Sequence, residues 1–225
     1  MNNILHLTLV DIYRAFRFNF NKSGSEVSDP DTIQFDKPGW GNLTWTSSLY
    51  RKAHINIIDM MDTRGLWMMH CCIYPHYHNP APIFGFDVFA GKNKITGCFH
   101  DFSPVIDNHP LSEWFTEESS TLSWNKKREL PEWAKRIFSS DIIAAGNIQS
   151  TEELTQLYDM ISSTLDAYLT SLQDTNNTVD DISDKHNFYI ENQRLNPHNP
   201  KVLMNLGLSE EEANQYVTEC LFSYR

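Results

Sequence analysis

The chain has 225 residues, 40% of them hydrophobic and 12% aromatic, which is enough for one sizeable core, so a single domain over residues 1–225 is expected. Its formal charge of −11 would repel a phosphate backbone, and no apolar run reaches the roughly 18–20 residues that span a bilayer, so neither nucleic acid nor membrane is an expected partner. Cys71, Cys72, Cys98 and Cys220 make no secreted-type disulfide framework, and reduced thiols in a cytoplasm fit them better.

The opening segment, MNNILHLTLVDIYRAFRF, lacks a basic start followed by a long apolar stretch, so no signal peptide is expected. Ile4, Leu5, Leu9, Ile12, Tyr13 and Phe16 recur at helical spacing and predict an amphipathic helix. Residues from about 20 to 42 are rich in Ser, Gly, Asp and Pro and read as loop with at most one edge strand. LTWTSSLY, AHINIIDMM, LWMMHCCIY, IFGFDVFA and ITGCFHDF are short and rich in β-branched and aromatic residues. Turn signals at 62–65, 75–82 and 91–94 divide them, which predicts an antiparallel meander of hairpins. Beyond these, Leu154, Leu157, Tyr158, Ile161, Leu165, Tyr168 and Leu172 form one stripe, and Ser150 with Glu153 reads as a capping box at the start of a helix. The polar stretch from 173 to about 185 reads as loop, and Ser209 with Glu212 opens a last helix in LSEEEANQYVTECLF. Strands in the middle and helices at both ends place the chain in the α+β class, with a central antiparallel sheet flanked by helices.

Residues 67–78, WMMHCCIYPHYH, bring three histidines and two cysteines together. On a strand His70 and Cys72 share a face while Cys71 points away, and His76 and His78 lie beyond Pro75 in a loop. With no CxxC or HExxH spacing, no metal site is expected, and the cysteines read as small core residues. There is also no GxGxxG, Walker loop or GxSxG elbow, so a nucleotide cofactor or serine nucleophile lacks support.

Polar residues inside the apolar strands carry more information. Asp87 lies among Phe84, Phe86, Val88 and Phe89; His54 and Asn56 are two apart and share a face; His70 is mid-strand. Facing water, each would be ordinary alternation. Facing the interior, a carboxyl among phenyl rings has a raised pKa, and neighbouring imidazoles can share its proton. Such a group could deliver protons to a buried, mostly apolar substrate.

RKAHINI, MMHCCIYP, APIFGFDVFAG, HDFSP, RELPEWA and the closing CLFSYR resemble the ferredoxin-dependent bilin reductases, strongly over about residues 45–140 and loosely in the last third. The resemblance implies a three-layer α/β/α sandwich with an open-chain tetrapyrrole between the sheet and the C-terminal helices. It implies no bound metal or flavin, and single electrons from reduced [2Fe-2S] ferredoxin to bilin radicals that the protein protonates. By this resemblance Asp87 matches the central catalytic aspartate, His70 its neighbouring histidine, and His54 the histidine of an RKxHxE segment. Lys52 and Thr96 fall where contacts to the substrate's propionates are expected.

The pattern departs at two places. Asn56 replaces the glutamate expected two residues after His54, and Asn196 replaces an aspartate of the C-terminal part of the pocket, with Leu195 where one subgroup has Asn. An amide is no useful proton donor at neutral pH. In the family that glutamate is associated with D-ring vinyl reduction, so the expected reaction is four-electron reduction of biliverdin IXα through 15,16-dihydrobiliverdin to phycoerythrobilin. Phycocyanobilin as product, arrest at 15,16-dihydrobiliverdin, a non-catalytic bilin carrier and a ligand-free structural protein are the alternatives. Ferredoxin is acidic, so docking would need a basic island such as Lys126-Lys127-Arg128 or Lys135-Arg136. A monomer is expected.

Overall fold

The computed structural model describes residues 3–28, 35, 37–174 and 178–224. Helix α1 (Asn3–Ser23) leads to an edge strand β1 (Ser25–Val27), then β2 (Trp40–Thr46) and β3 (Tyr50–Met60). A single helical turn, α2 (Met61–Arg64), reverses the chain into β4 (Leu66–Pro75), and Gly65 makes this possible with φ 63°, a left-handed conformation that a side chain would strain. Strands β5 (Ile83–Gly91) and β6 (Ile95–Ser103), helix α3 (Pro110–Ser120), a short 3₁₀ turn (Ala134–Arg136) and β7 (Ile143–Ala145) follow. Helices α4 (Thr151–Ser171), α5 (Ser183–Gln193), α6 (His198–Asn205) and α7 (Glu210–Tyr216) complete the chain, α7 running on into a π turn at Val217–Leu221.

The seven strands form one antiparallel sheet in sequence order. Alternation along each strand then supplies two apolar faces, and each is covered by helices. On the first, Leu5, Leu9, Ile12, Phe16 and Phe20 of α1 and Leu157, Ile161 and Leu165 of α4 pack on Cys71, Phe84, Phe86 and Val88. On the second, Tyr189 and Ile190 of α5, Leu203 of α6 and Ala213 and Tyr216 of α7 pack on Ile58, Cys72, Tyr74 and Ile83. The fold is therefore an α+β sandwich of helix, sheet and helix. Adjacent Cys71 and Cys72 divide between the two cores as a period of two requires.

His100 lies on the first face, where its Nδ1–H donates to the Gly85 carbonyl at 2.8 Å and its Nε2 accepts from the Thr164 hydroxyl at 2.9 Å. Burial lowers its pKa to about 4, so it is a neutral strut between sheet and α4.

Several boundaries differ from the sequence-based expectation. The first helix extends to Ser23 because Phe20 continues its buried stripe, while Ile4 is exposed. Residues 29–34 and 36 of the expected loop, and 175–177 of the later one, lie outside the described residues. Helix α3 was not among the expected elements, although Leu111, Trp114 and Phe115 pack from it behind Pro110. Nor was helix α5, since its buried face includes His186, Asn192 and Gln193 and carries no apolar stripe. At α4 the cap is one-sided: the Ser150 hydroxyl accepts from Glu153 N, but the Glu153 carboxylate accepts from Asn125 N at 3.1 Å. At Ser209 and Glu212 the box is reciprocal.

Candidate active site

Register places one polar row across the second face. Asn42, Asn56, His70, Asp87 and Phe99 stand opposite one another on β2, β3, β4, β5 and β6. Thr44, His54, Cys72, Gly85 and Asp101 form the row beside it. Four of the residues singled out in sequence, His54, Asn56, His70 and Asp87, are thus brought together from three strands.

His70 is buried, and its Nδ1–H donates to Asp87 Oδ1 at 2.8 Å. Burial by itself would lower this imidazole, but the Cys72 sulfur and the Asp87 carboxylate beside it outweigh burial and raise its pKa to about 10. The Asp87 side chain keeps 27% of its exposure against 8% for His70, so the carboxylate forms the wetter end of the pair. His54 is the opposite case. Burial, then the charges of Lys52 and His70, hold it well below the usual histidine range. Its ring centroid is 6.1 Å from that of His70. Neither nitrogen of His54, nor Nε2 of His70, nor Nδ2 of Asn42 has a hydrogen-bond partner among the described residues. Buried polar atoms are rarely left so, and four on one strip mark a surface suited to a polar-edged ligand.

Asn56 is held rather than free. Its Nδ2 donates to Asn42 Oδ1 at 2.8 Å and to the Tyr216 hydroxyl, which itself donates to Asn42 Oδ1 at 3.3 Å. Lys52 is buried on the same face and donates to the Ser223 hydroxyl. The closing segment therefore lies on the rows, with the Phe222 ring 5.1 Å from that of His70. Arg194 fastens this segment by donating to the carbonyls of Phe222 (2.7 Å) and Thr218 (3.2 Å).

The other three expected residues are not gathered in. Thr96 is exposed at a bulge where the β5–β6 register slips, and its hydroxyl donates to the Phe89 carbonyl. By alternation position 96 is in step with Cys98 and His100 of the first face, not with Phe99 opposite Asp87, so Thr96 does not belong to the row. Leu195 is 57% exposed. Asn196 is turned to the start of α6, its Oδ1 accepting from His198 N at 3.0 Å. Conversely, Asn42, Tyr216 and Phe222 adjoin these rows; Tyr216 stood in the expected last helix and Phe222 in CLFSYR, but none of the three was named as a site residue. Asp101 fixes the neighbouring loop, accepting from the hydroxyl of Ser103 (2.7 Å) and the backbone N of Ser139 (3.0 Å), while burial raises its pKa. No cluster of three His, Cys, Asp or Glu among the described residues is placed to hold a metal. A cleft of about 580 Å³ between α1 and β2–β3 opens elsewhere, and none of the row's residues lines it.

An antiparallel sheet between helical layers, with a carboxylate–imidazole pair on one face, is a frame on which acid–base chemistry can be built. The family model for the ferredoxin-dependent bilin reductases matches residues 25–223, and the chain belongs to that family of oxidoreductases. It is 29% identical to the phycocyanobilin:ferredoxin oxidoreductase of Prochlorococcus marinus over 158 residues, covering 66% of this chain and 64% of that protein. With the same enzyme of Synechococcus elongatus it shares 26% over 189 residues, 80% of this chain and 74% of the relative. A solved structure of PcyX superposes with a TM-score of 0.71 at 28% identity, covering 96% of this chain and 99% of that one. Phytochromobilin synthase from tomato, solved in complex with biliverdin, shares the fold with a TM-score of 0.75 at 18% identity, covering 95% of this chain and 82% of that one.

Proposed function

We propose that the protein, acting as one domain, reduces biliverdin IXα with electrons delivered singly by reduced [2Fe-2S] ferredoxin. Two electrons and two protons saturate the C15–C16 methine bridge to give 15,16-dihydrobiliverdin. Two more of each reduce the A-ring diene system to give phycoerythrobilin. The observation that carries this reading is the His70–Asp87 contact of 2.8 Å on a face strewn with unpartnered imidazole nitrogens. With its pKa raised to about 10, His70 holds a proton at neutral pH. A conjugated tetrapyrrole becomes more basic when it gains an electron, so even a weak acid can then protonate it. Protonation after each electron also avoids a net charge in a poorly solvated site.

The product assignment rests on Asn56, whose amide is bound by Asn42 and Tyr216 and offers no acidic proton. Phycocyanobilin is the second reading, favoured by the names of the curated relatives. Incubation with biliverdin and reduced ferredoxin, followed by chromatography, separates them. Phycoerythrobilin is expected; phycocyanobilin alone, or arrest at 15,16-dihydrobiliverdin, overturns the product, and bound pigment unchanged by added electrons identifies a carrier.

A further inference from the structure

At the far end of β3–β4 from the acid pair stands a second set of buried polar atoms. The register slips between Tyr50 and Lys52, leaving Arg51 as the unpaired residue of a bulge. The Arg51 guanidinium lies over two rings, 4.7 Å from the centroids of both Tyr74 and Tyr77. Those rings engage its faces, while the edge atoms Nε and Nη2 are buried and have no acceptor among the described residues. The Tyr74 hydroxyl is buried and, apart from the Cys72 sulfur beside it, has no partner among the described residues. His186 of α5 is 0% exposed, neither ring nitrogen has a partner among the described residues, and its ring lies 5.4 Å from that of Tyr77 and 6.3 Å from that of Tyr74. Arg51 and Tyr77 are half-buried and form the rim; Tyr74 and His186 form the floor.

Arg51 forms no ion pair among the described residues. The carboxylate nearest His186 electrostatically, Asp181, is occupied in accepting from Ser183 N at 2.7 Å. A planar fork, a hydroxyl and an imidazole converging without an anion suit a carboxylate, which can take the fork through both oxygens. Tyr74 shares the face of His70 and lies four residues along β4, roughly 13 Å at strand rise. A propionate is shorter than that by itself, so the outer edge of the tetrapyrrole must span the rest of the way from the acid pair.

We propose that Arg51, Tyr74 and His186 form a carboxylate subsite that holds one propionate of the bilin, an inference that rests on the function proposed above. The test is absorbance titration of wild type, Arg51→Gln, Arg51→Lys and His186→Gln with biliverdin and with its dimethyl ester, alongside thermal unfolding with and without inorganic phosphate. Wild type should bind the diacid roughly tenfold more tightly than the diester. Arg51→Gln should lose most of that preference, and Arg51→Lys should keep part of it. Should Arg51→Gln fail to fold, Arg51→Lys and His186→Gln report on the same preference. Equal binding of acid and ester by wild type, or full preference retained in these variants, overturns the subsite. Phosphate stabilisation that Arg51→Gln abolishes, with the acid–ester preference unchanged, assigns the cluster to a free anion and overturns the proposal. Failure to bind either bilin would instead sink the function proposed above.

Discussion

His70 and Asp87 meet at 2.8 Å, yet the carboxylate reaches solvent and the imidazole does not. On the proposed function, that asymmetry would let water recharge the pair through the carboxylate. Asp87→Asn keeps the shape and removes the proton acceptor. It should retain bilin binding and lower ferredoxin-driven turnover by roughly 10²–10⁴; undiminished turnover would remove Asp87 from the chemistry. Asn56→Glu tests the product. A carboxyl in the cage of Asn42 and Tyr216 would supply an acid there, and phycocyanobilin should appear in the chromatogram. An unchanged product would show that this position does not set regiochemistry.

Among elements, the π turn and the residues after it matter most. They lie on β3 and β4, with Phe222 against His70 and Ser223 against Lys52. Arg194 closes this cover by donating to two of its carbonyls and by lying 4.3 Å over the Tyr224 ring. Arg194→Ala should leave the sheet intact and speed hydrogen exchange of the amides at 217–223 by at least about tenfold, a loss of roughly 1.4 kcal/mol of local protection. Unchanged exchange there would mean that apolar packing alone holds the cover.

At the scale of the molecule, buried histidines set the acid limit. His54, His100 and His186 are all held below the histidine reference of 6.5, His100 at about 4 and His186 at about 3, each chiefly by burial. Unfolding lets them take up protons, so their stabilisation is complete above 6.5 and is lost as pH falls through the folded values. Three such groups give a slope of up to about 4 kcal/mol per pH unit. Urea midpoints should therefore drop steeply between pH 6.5 and 4, the window that the reference and the His100 value bound. His70 has the opposite sign: raised from 6.5 to about 10, it contributes fully below 6.5 and loses its contribution as pH climbs through about 10. A flat acid limb would mean that these rings protonate in the native state.

Charge is distributed as unevenly. Residues 126–128 pair along the β7 edge, with Arg128 N donating to the Ala144 carbonyl at 2.8 Å and its guanidinium 5.9 Å from the Phe99 ring, which stands opposite Asp87. Lys135, by contrast, is tied to Glu132. On the proposed function, the first island would be the better landing place for an acidic electron donor. Turnover should fall with ionic strength and on Lys126→Glu with Lys127→Glu; insensitivity to both would place docking elsewhere.

The sequence alone determined the meander, the long helices and the family, because periods of 2 and 3.6 and short motifs are written locally. It also marked His54, Asn56, His70 and Asp87 as anomalous, since polar residues in apolar strands stand out without any knowledge of their neighbours. Which face they share, and that Asn56 is caged by a tyrosine 160 positions away, was decided only by tertiary structure. So was the slip of register that turned Arg51 onto two rings. Register and the meeting of distant segments depend on the summed packing of both cores, and no short window of the chain contains that sum.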